Sequence, residues 1–454
     1  MTGHKEKLDV RRLALDALIE ISEKGAFCDR TVHRILEDFP LEKRDRAFFQ
    51  RLVNGTVERQ IEMDHVLGQF SRVAVKKMKP VIREILRMGV YQLLYMSQVP
   101  DSAVCNEAVK LAQRRGFSRL KGFVNGVLRS VARGRKEISY PPRRDTLSYL
   151  SVVYSMPQWI VKRFVGAYGE ETAEKIFAGF LKEKRTLSVR CQTGRYTPAQ
   201  VRRSLESQGA DVEPGVLFPD ALRIQNISSV SELDAFRQGM IQVQDESSMT
   251  VGAVSGIKKG DVVMDLCAAP GGKSMHAADI LGGDGIVICG DVAEEKIQKI
   301  RESSIRLGYD NIECHVQDAR VFQGEWEEKA DVVIADLPCS GLGVIGKKCD
   351  IKYKTKPEDI KNLSGIQREI LRTVCRYVKP GGRLIYSTCT IAGEENEENA
   401  AWIERHLPLK PTSIEELLPP PLRGKTGREG YLQILPVNGQ TDGFFVAAFI
   451  KGEE

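Results

Sequence analysis

The chain has 454 residues, of which 42% are hydrophobic and 28% charged, and a formal net charge of +6. That length exceeds one ordinary hydrophobic core and calls for several domains. Ten cysteines without a C-x-x-C pair argue against a disulfide scaffold or zinc knot, six dispersed histidines argue against a metal site, and no apolar run is long enough to span a bilayer.

Charge is unevenly spread. Residues 1–150 hold 29 Lys and Arg against 18 Asp and Glu, a net of +11, so the remainder of the chain is mildly acidic. A basic module fused to an acidic one points to polyanion affinity at the front end, the alternative being a solvated helical surface. Apolar residues recur at the helical period in Leu8 to Ile21, Thr31 to Leu36, Arg46 to Gln60, Val81 to Tyr95 and Asn106 to Gln113, which predicts an all-α bundle over 1–140. Lys110, Arg114, Arg115, Arg119, Lys121, Arg129, Arg133, Arg135 and Lys136 crowd its last third without interleaved aromatics. Phosphate and shape contacts are therefore expected there, rather than base stacking. The stretches Leu41 to Phe49, Arg83 to Leu93 and Lys121 to Arg129 resemble the NusB-like RNA-binding fold.

Tyr140-Pro141-Pro142-Arg143-Arg144 reads as a stiff extended linker. Beyond it, residues 150–235 predict a small α/β domain: helices Pro157 to Phe164 and Glu170 to Phe180, a strand Thr186 to Arg190, a helix from Thr197 and a strand at Ala221 to Ile224. Lys182, Lys184 and Arg185, placed before the strand that ends in Arg190, make this segment a candidate second RNA surface.

Residues 236–454 carry the chemistry. Val262 to Asp265 reads as a strand, Leu266-Cys267-Ala268-Ala269-Pro270-Gly271-Gly272-Lys273 as a tight turn of small residues, and a helix starts near Ser274. Small residues let backbone approach a ligand, and the helix N-terminus favours an anionic or polar one. The glycine spacing fits neither a dinucleotide fingerprint nor a P-loop, and a purely structural turn is the alternative. Three more strands end in acids: Ile286 to Asp291, Cys314 to Asp318 and Val332 to Asp336. One strand-end Asp is usually a helix cap, whereas three in succession suggest a polar rim around one ligand. Two cysteines also sit at strand ends, Cys339 in Asp336-Leu337-Pro338-Cys339-Ser340-Gly341 and Cys389 in Ser387-Thr388-Cys389-Thr390. Open α/β sheets bind ligands outside the carboxyl ends of their strands, so two thiols there can face one substrate; packing is the alternative for a small apolar Cys.

Asp265 to Lys273, Asp336 to Gly341, Ser387 to Thr390 and Asp442-Gly443-Phe444-Phe445 resemble, in order, the motifs of the S-adenosylmethionine-dependent RNA cytosine-C5 methyltransferases. The resemblance covers about half the chain. It implies a Rossmann-like α/β catalytic domain in which Cys267, Ala268, Ala269, Pro270, Gly271, Gly272 and Lys273 wrap S-adenosylmethionine. Asp291 is implied to hold its ribose, Asp318 to lie beside its adenine, and Asp336 to touch both the methionine side and the target base. Cys389 is implied as the nucleophile and Cys339 as the residue that assists product release.

The chemistry accounts for these residue types. C5 of cytosine is a poor carbon nucleophile until a thiolate adds to C6. A thiol of ordinary pKa, about 8.5, is only a few per cent ionised at neutral pH, so the site must favour the anion. Asp336 is suited to the N3/N4 edge of the ring, and Lys273 is the nearest cation in sequence.

The expectation is thus a three-part cytoplasmic protein: a NusB-like RNA-binding bundle (1–140), a small α/β segment (150–235) and a methyltransferase domain (236–454). The NusB-like front narrows the resemblance to the bacterial branch acting on small-subunit (16S) ribosomal RNA, naked or in early assembly, with no DNA or membrane partner. Met1 to Glu6 shows no signal-peptide pattern. The alternatives are another RNA target, ribosomal or transfer RNA, or a ribosome-assembly RNA-binding protein with a vestigial methyltransferase fold. The last requires a broken site, and both cysteines, Lys273 and the three acids are intact.

Overall fold

The computed structural model describes residues 9–181 and 186–453. It separates into two compact units, one running to Leu181 with Lys347–Lys354 added, the other holding the rest.

The first unit is helical: α1 (Val10–Glu23), α2 (Cys28–Asp38), α3 (Lys43–Glu58), α4 (Gln60–Phe70), α5 (Pro80–Tyr95), α6 (Asp101–Arg114), α7 (Lys121–Arg133), α8 (Thr146–Val153), α9 (Gln158–Tyr168) and α10 (Glu170–Phe180). Asp9 caps α1 by accepting from the N–H groups of Arg11 and Arg12, and Pro80 opens α5, where a missing N–H costs nothing. Leu15, Leu18, Phe49, Leu52, Ile85, Leu86, Leu111, Val124 and Leu128 form the core. α5 is buried nearly all round because α1, α3, α4, α6 and α7 all pack on it. Gly89 permits this, since a Cβ there would lie 2.7 Å from Leu128. α4 was not anticipated from sequence, because Gln60 to Phe70 mixes apolar and charged positions without a clear stripe.

The segment Lys347–Lys354 joins this unit although its sequence neighbours do not. Asp350 accepts from the Cys28 N–H at 2.9 Å, and the Lys352 ammonium, 1% exposed, donates to the Glu58 carbonyl at 2.7 Å. Nothing in the local sequence signals this, because the pairing partners lie about three hundred residues away.

In the second unit, β1 (Leu187–Cys191), α11 (Pro198–Ser207), β2 (Asp211–Pro214), β3 (Ala221–Gln225), α12 (Asp234–Arg237) and β4 (Ile241–Val243) come first. Their strands form an antiparallel sheet in the order β2-β3-β1-β4. β2 was not anticipated from sequence, because it is short and mostly exposed and lacks an apolar alternation, and Ile241–Val243 completes the sheet by pairing with β1. Thr197 and Gln200 close a reciprocal capping box on α11 ahead of Pro198.

The larger sheet follows: α13 (Glu246–Ser255), β5 (Val262–Asp265), α14 (Gly272–Leu281), β6 (Ile286–Asp291), α15 (Glu294–Leu307), β7 (Ile312–Val316) and β8 (Ala330–Asp336). After α16 (Ile351–Lys354) come α17 (Pro357–Val374), β9 (Val378–Thr388), α18 (Glu397–His406), β10 (Leu409–Pro411), β11 (Tyr431–Ile434) and β12 (Phe444–Lys451). The strand order is β10-β12-β9-β8-β5-β6-β7, with β11 on β12. The five strands from β9 to β7 are parallel, and β12 runs antiparallel to β9. Alternate residues of each strand enter opposite cores: Val263, Val287, Val332 and Ile385 pack with Val251, Met275 and Ala278, while Met264, Ile288, Val333 and Leu384 pack with Leu371 and Ile403. Burial on both faces is why these strands read as unbroken apolar runs. Strand order reverses between β5 and β8, and open α/β sheets bind ligands outside the carboxyl ends of the strands at such a crevice.

Candidate active site

β5 and β8 are neighbours, which brings Asp265 and Asp336 to the same edge of the crevice. Lys273, in the first turn of α14, reaches across: its ammonium is 2.6 Å from Asp336 and 5.2 Å from the Phe444 ring centroid. The other Asp336 oxygen accepts from the Ser387 hydroxyl at 2.8 Å, so the carboxylate is held from two sides. Burial opposes the Lys273 ammonium, but Asp336, with Cys389 and Asp265, outweighs it and raises the lysine pKa. Asp265 is fully buried and pushed up to about 7 by burial, partly offset by the hydroxyl of Ser274, which donates to it at 2.7 Å.

Cys339 stands three residues past β8 and Cys389 directly follows β9. Because these strands are adjacent, their sulfurs meet at 3.2 Å. The Cys339 thiol is driven well above its ordinary range, first by the hydrogen bond with Cys389, then by burial and by the charges of Cys389 and Glu395. Cys339 therefore holds its proton more tightly than an ordinary thiol. Three loops are knitted around the pair by backbone bonds, Gly343 N–H to the Cys389 carbonyl (3.1 Å) and Gly443 N–H to the Gly343 carbonyl (2.9 Å). This contact explains the glycine of the terminal Asp442-Gly443-Phe444-Phe445 motif, since a Cβ at Gly443 would fall 2.7 Å from Ile391 and 2.8 Å from Gly343 Cα.

The turn from Leu266 to Gly271 folds against β6. Asp291, 5% exposed, accepts from the Ala269 N–H (3.2 Å), the Val292 N–H (2.8 Å) and Lys296 (2.9 Å), and Ala268 N–H donates to the Gly290 carbonyl. Gly271 takes φ +100°, which a side chain rarely tolerates. Asp318 lies two residues past β7 rather than at its end, and its pKa is lowered by hydrogen bonds from Arg320. It lines a cavity of about 390 Å³ with Gln317, Val321 and Trp326.

Comparison with known proteins places this geometry. Residues 254–450 match the family described as 16S rRNA methyltransferase RsmB/F, residues 8–133 the NusB family, and residues 156–231 the ferredoxin-like domain of RsmF/B-like methyltransferases. A probable ribosomal RNA small subunit methyltransferase B of Bacillus subtilis is 37% identical over 450 residues, covering 98% of this chain and 99% of its own. The chain belongs to the RsmB/F methyltransferase family. A Synechocystis protein, also called a probable small subunit methyltransferase B, is 30% identical over 456 residues, covering 98% of this chain and 100% of its own. The crystal structure of PH0851 superposes with a TM-score of 0.80 at 27% identity, covering 99% of this chain and 100% of that one.

Enzymes of the RsmB/F family use S-adenosylmethionine, and the turn fits that group. A glycine-dependent cradle faces a buried carboxylate, Asp291, suited to a ribose diol, and the neighbouring Val292, 60% exposed, offers an apolar face to a ring. Sequence reasoning did not single out Val292, Ser387, Glu395 or Asn396. The acids Glu394 to Glu398 resemble a solvated run, yet Glu395 and Asn396 are completely buried. The candidate RNA surface of the middle segment is corrected in one respect: Arg190 is fully buried, bonded to Asp279 (2.6 Å) and Gln244 (3.2 Å), and is unavailable to RNA. Lys182, Lys184 and Arg185 lie outside the described residues. In the bundle, Lys110, Arg114, Arg115 and Arg135 pair with Glu107, Asp9, Asp16 and Asp101, whereas Arg119, Lys121, Arg129, Arg133 and Lys136 are exposed. Among the described residues no helix is long and apolar enough to cross a membrane.

Proposed function

We propose that this RsmB/F methyltransferase transfers a methyl group to C5 of a cytosine in 16S ribosomal RNA through a covalent bond between Cys389 and C6 of the base. The observation that carries the reading is the pair of thiols 3.2 Å apart beside the Lys273–Asp336 ion pair, at the point where strand order reverses.

When bound, S-adenosylmethionine would supply an electrophilic methyl group, and Cys267 to Lys273, Asp291 and Asp318 would hold it, with Asp336 at its methionine end. The protein's part begins with Cys389. Its thiolate is stabilised by the Cys339 thiol, whose sulfur lies 3.2 Å away, and by the Lys273 ammonium nearby. The sulfur adds to C6, and the electron pair of the C5–C6 bond moves toward N3 and C5. Asp336, oriented by Lys273 and Ser387, meets the N3/N4 edge of the ring where charge develops. C5 then takes the methyl group, the bonding electrons staying on the cofactor sulfur, which would leave as a neutral thioether. Transfer of the C5 proton to water restores the double bond and expels the Cys389 sulfur with its electron pair, a departure that the Cys339 thiol assists from 3.2 Å away.

The exposed residues Arg119, Lys121, Arg129 and Arg133 bring the helical unit to phosphates, and 16S RNA, naked or early in assembly, is the partner. Support comes from the family itself and from two relatives that carry the small subunit methyltransferase B name. The test is a map of 5-methylcytosine in ribosomal RNA, by bisulfite sequencing and mass spectrometry, from cells with the gene deleted and then restored. Loss and recovery of one 16S cytosine methyl group is the expected result. A 16S map that stays complete in the deletion strain overturns the assignment.

A further inference from the structure

Glu395 and Asn396, adjacent in the chain and 0% exposed, each grip one of the two cysteine turns. Asn396 holds both neighbours of Cys389: its carbonyl oxygen accepts from the Thr388 hydroxyl (2.6 Å) and its amide nitrogen donates to the Thr390 carbonyl (3.0 Å). Glu395 holds the other turn, accepting from the Ser340 N–H (2.9 Å) and from the Ser340 hydroxyl, which also meets the Thr390 hydroxyl at 2.8 Å. Gln367, fully buried on α17, donates to Glu395 (3.0 Å) and to the Pro338 carbonyl (2.9 Å), so both neighbours of Cys339 are fixed as well.

We propose that Glu395 and Asn396 are positioning residues for the reaction: together they set the spacing of the Cys339 and Cys389 sulfurs, and Glu395, bonded to the Ser340 N–H, fixes a carboxylate beside the Cys339 turn. The inference rests on the methyl-transfer reading above and assigns roles to residues that touch neither base nor cofactor in it. Two arguments support it. Every group around the Glu395 oxygens donates a hydrogen bond, and a carboxylate, which can only accept, satisfies them all where an amide would set a donor against a donor. The carboxylate is bonded to the Ser340 N–H, one residue from Cys339, where its charge disfavours a Cys339 thiolate, and the titratable groups that act on Cys339 among the described residues include Cys389, Glu395 and Tyr386. Burial raises the Glu395 pKa above its ordinary value, and the donors from Ser340, Gln367 and Thr390 offset that rise only in part.

The test compares Glu395→Gln, Glu395→Asp, Asn396→Ala and Ser340→Ala in the full chain with two independent readouts. One is turnover on RNA, with cofactor affinity measured separately by calorimetry. The other is the pH profile of Cys339 alkylation by iodoacetamide, followed by peptide mass spectrometry in a Cys389→Ala background, without RNA or cofactor. Glu395→Gln is expected to lower kcat roughly tenfold to a hundredfold, with cofactor affinity held within about twofold. It is also expected to move the Cys339 alkylation midpoint to lower pH. Glu395→Asp, which keeps the charge but shortens its reach, is expected to restore the alkylation midpoint and not kcat. If Glu395→Gln does not fold, Ser340→Ala and Asn396→Ala carry the test through a loss of kcat at parental cofactor affinity. Parental kcat in all the folded variants, or an alkylation midpoint indifferent to Glu395→Gln, overturns the proposal. A parent chain that transfers no methyl group to RNA overturns the methyl-transfer reading instead, and leaves the alkylation arm to report on the clamp.

Discussion

The sulfurs of Cys339 and Cys389 lie 3.2 Å apart although the residues are fifty positions apart in the chain. Parallel pairing of β8 with β9, which sets Asp336 opposite Ser387, creates this contact. It makes the two thiols unequal, since the contact with Cys389 and burial both raise the Cys339 thiol. Cys389→Ser is therefore expected to abolish methyl transfer while cofactor binding persists. Cys339→Ala is expected to attack and methylate but to accumulate a protein–RNA complex that survives denaturing electrophoresis, and the double variant Cys339→Ala/Cys389→Ala should form none. A trapped complex with Cys389→Ala instead would exchange the two roles.

Lys273 is the cation that meets Asp336, and no aliphatic side chain can replace that contact. Lys273→Met is expected to lower the single-turnover rate on the order of a hundredfold, as loss of one preorganised charge partner in an active site does. Its fold should persist, because the lysine sits at the edge of the crevice on α14. A rate within threefold of the parent's, in quench-flow with saturating RNA, sinks the role.

Asp291 ties the turn to β6 through the Ala269 N–H, and in the proposed reading its carboxylate meets the cofactor ribose. Asp291→Ala should weaken cofactor binding by about 1.5–3 kcal/mol, the range for charge-assisted hydrogen bonds. Isothermal titration with the cofactor product checks this, and unchanged affinity removes Asp291 from the cofactor site.

Asp265 gives a pH signature. Burial raises its pKa from 3.8 to about 7, so the folded protein keeps a proton that the unfolded chain releases. The contribution of this group to stability is fully present below 3.8 and is lost as pH rises through about 7. Asp265→Asn removes the titration. Its denaturation midpoint should then vary less with pH over that interval than the parent's, and identical pH dependence in the two proteins contradicts the assignment.

RNA affinity offers the fifth test. Reversing Arg129 and Arg133 to Glu in the full chain should weaken RNA binding and flatten the plot of log affinity against log salt, by a slope of roughly one per lost phosphate contact. Cofactor affinity should not change. A parental salt slope would reduce the basic face to solvation.

Much of this protein was legible from its residues alone. Helical periodicity gave the bundle, unbroken apolar runs gave the buried parallel strands, and acids and thiols at strand ends marked the crevice, because each of these signals is local and repeats within a few positions. Chain proximity could not show which strand ends meet. Pairing of β5 with β8 and of β8 with β9 decided that Lys273 bonds Asp336 and that Cys339 touches Cys389. The same holds for partners that read as surface. Arg190 resembled an RNA contact until Asp279 enclosed it, Glu395 resembled part of a solvated acidic run until Ser340 and Gln367 closed around it, and Lys352 is buried against a carbonyl far away in sequence. A charged residue is tolerated inside a protein only where partners replace its water, and those partners are supplied by the tertiary fold.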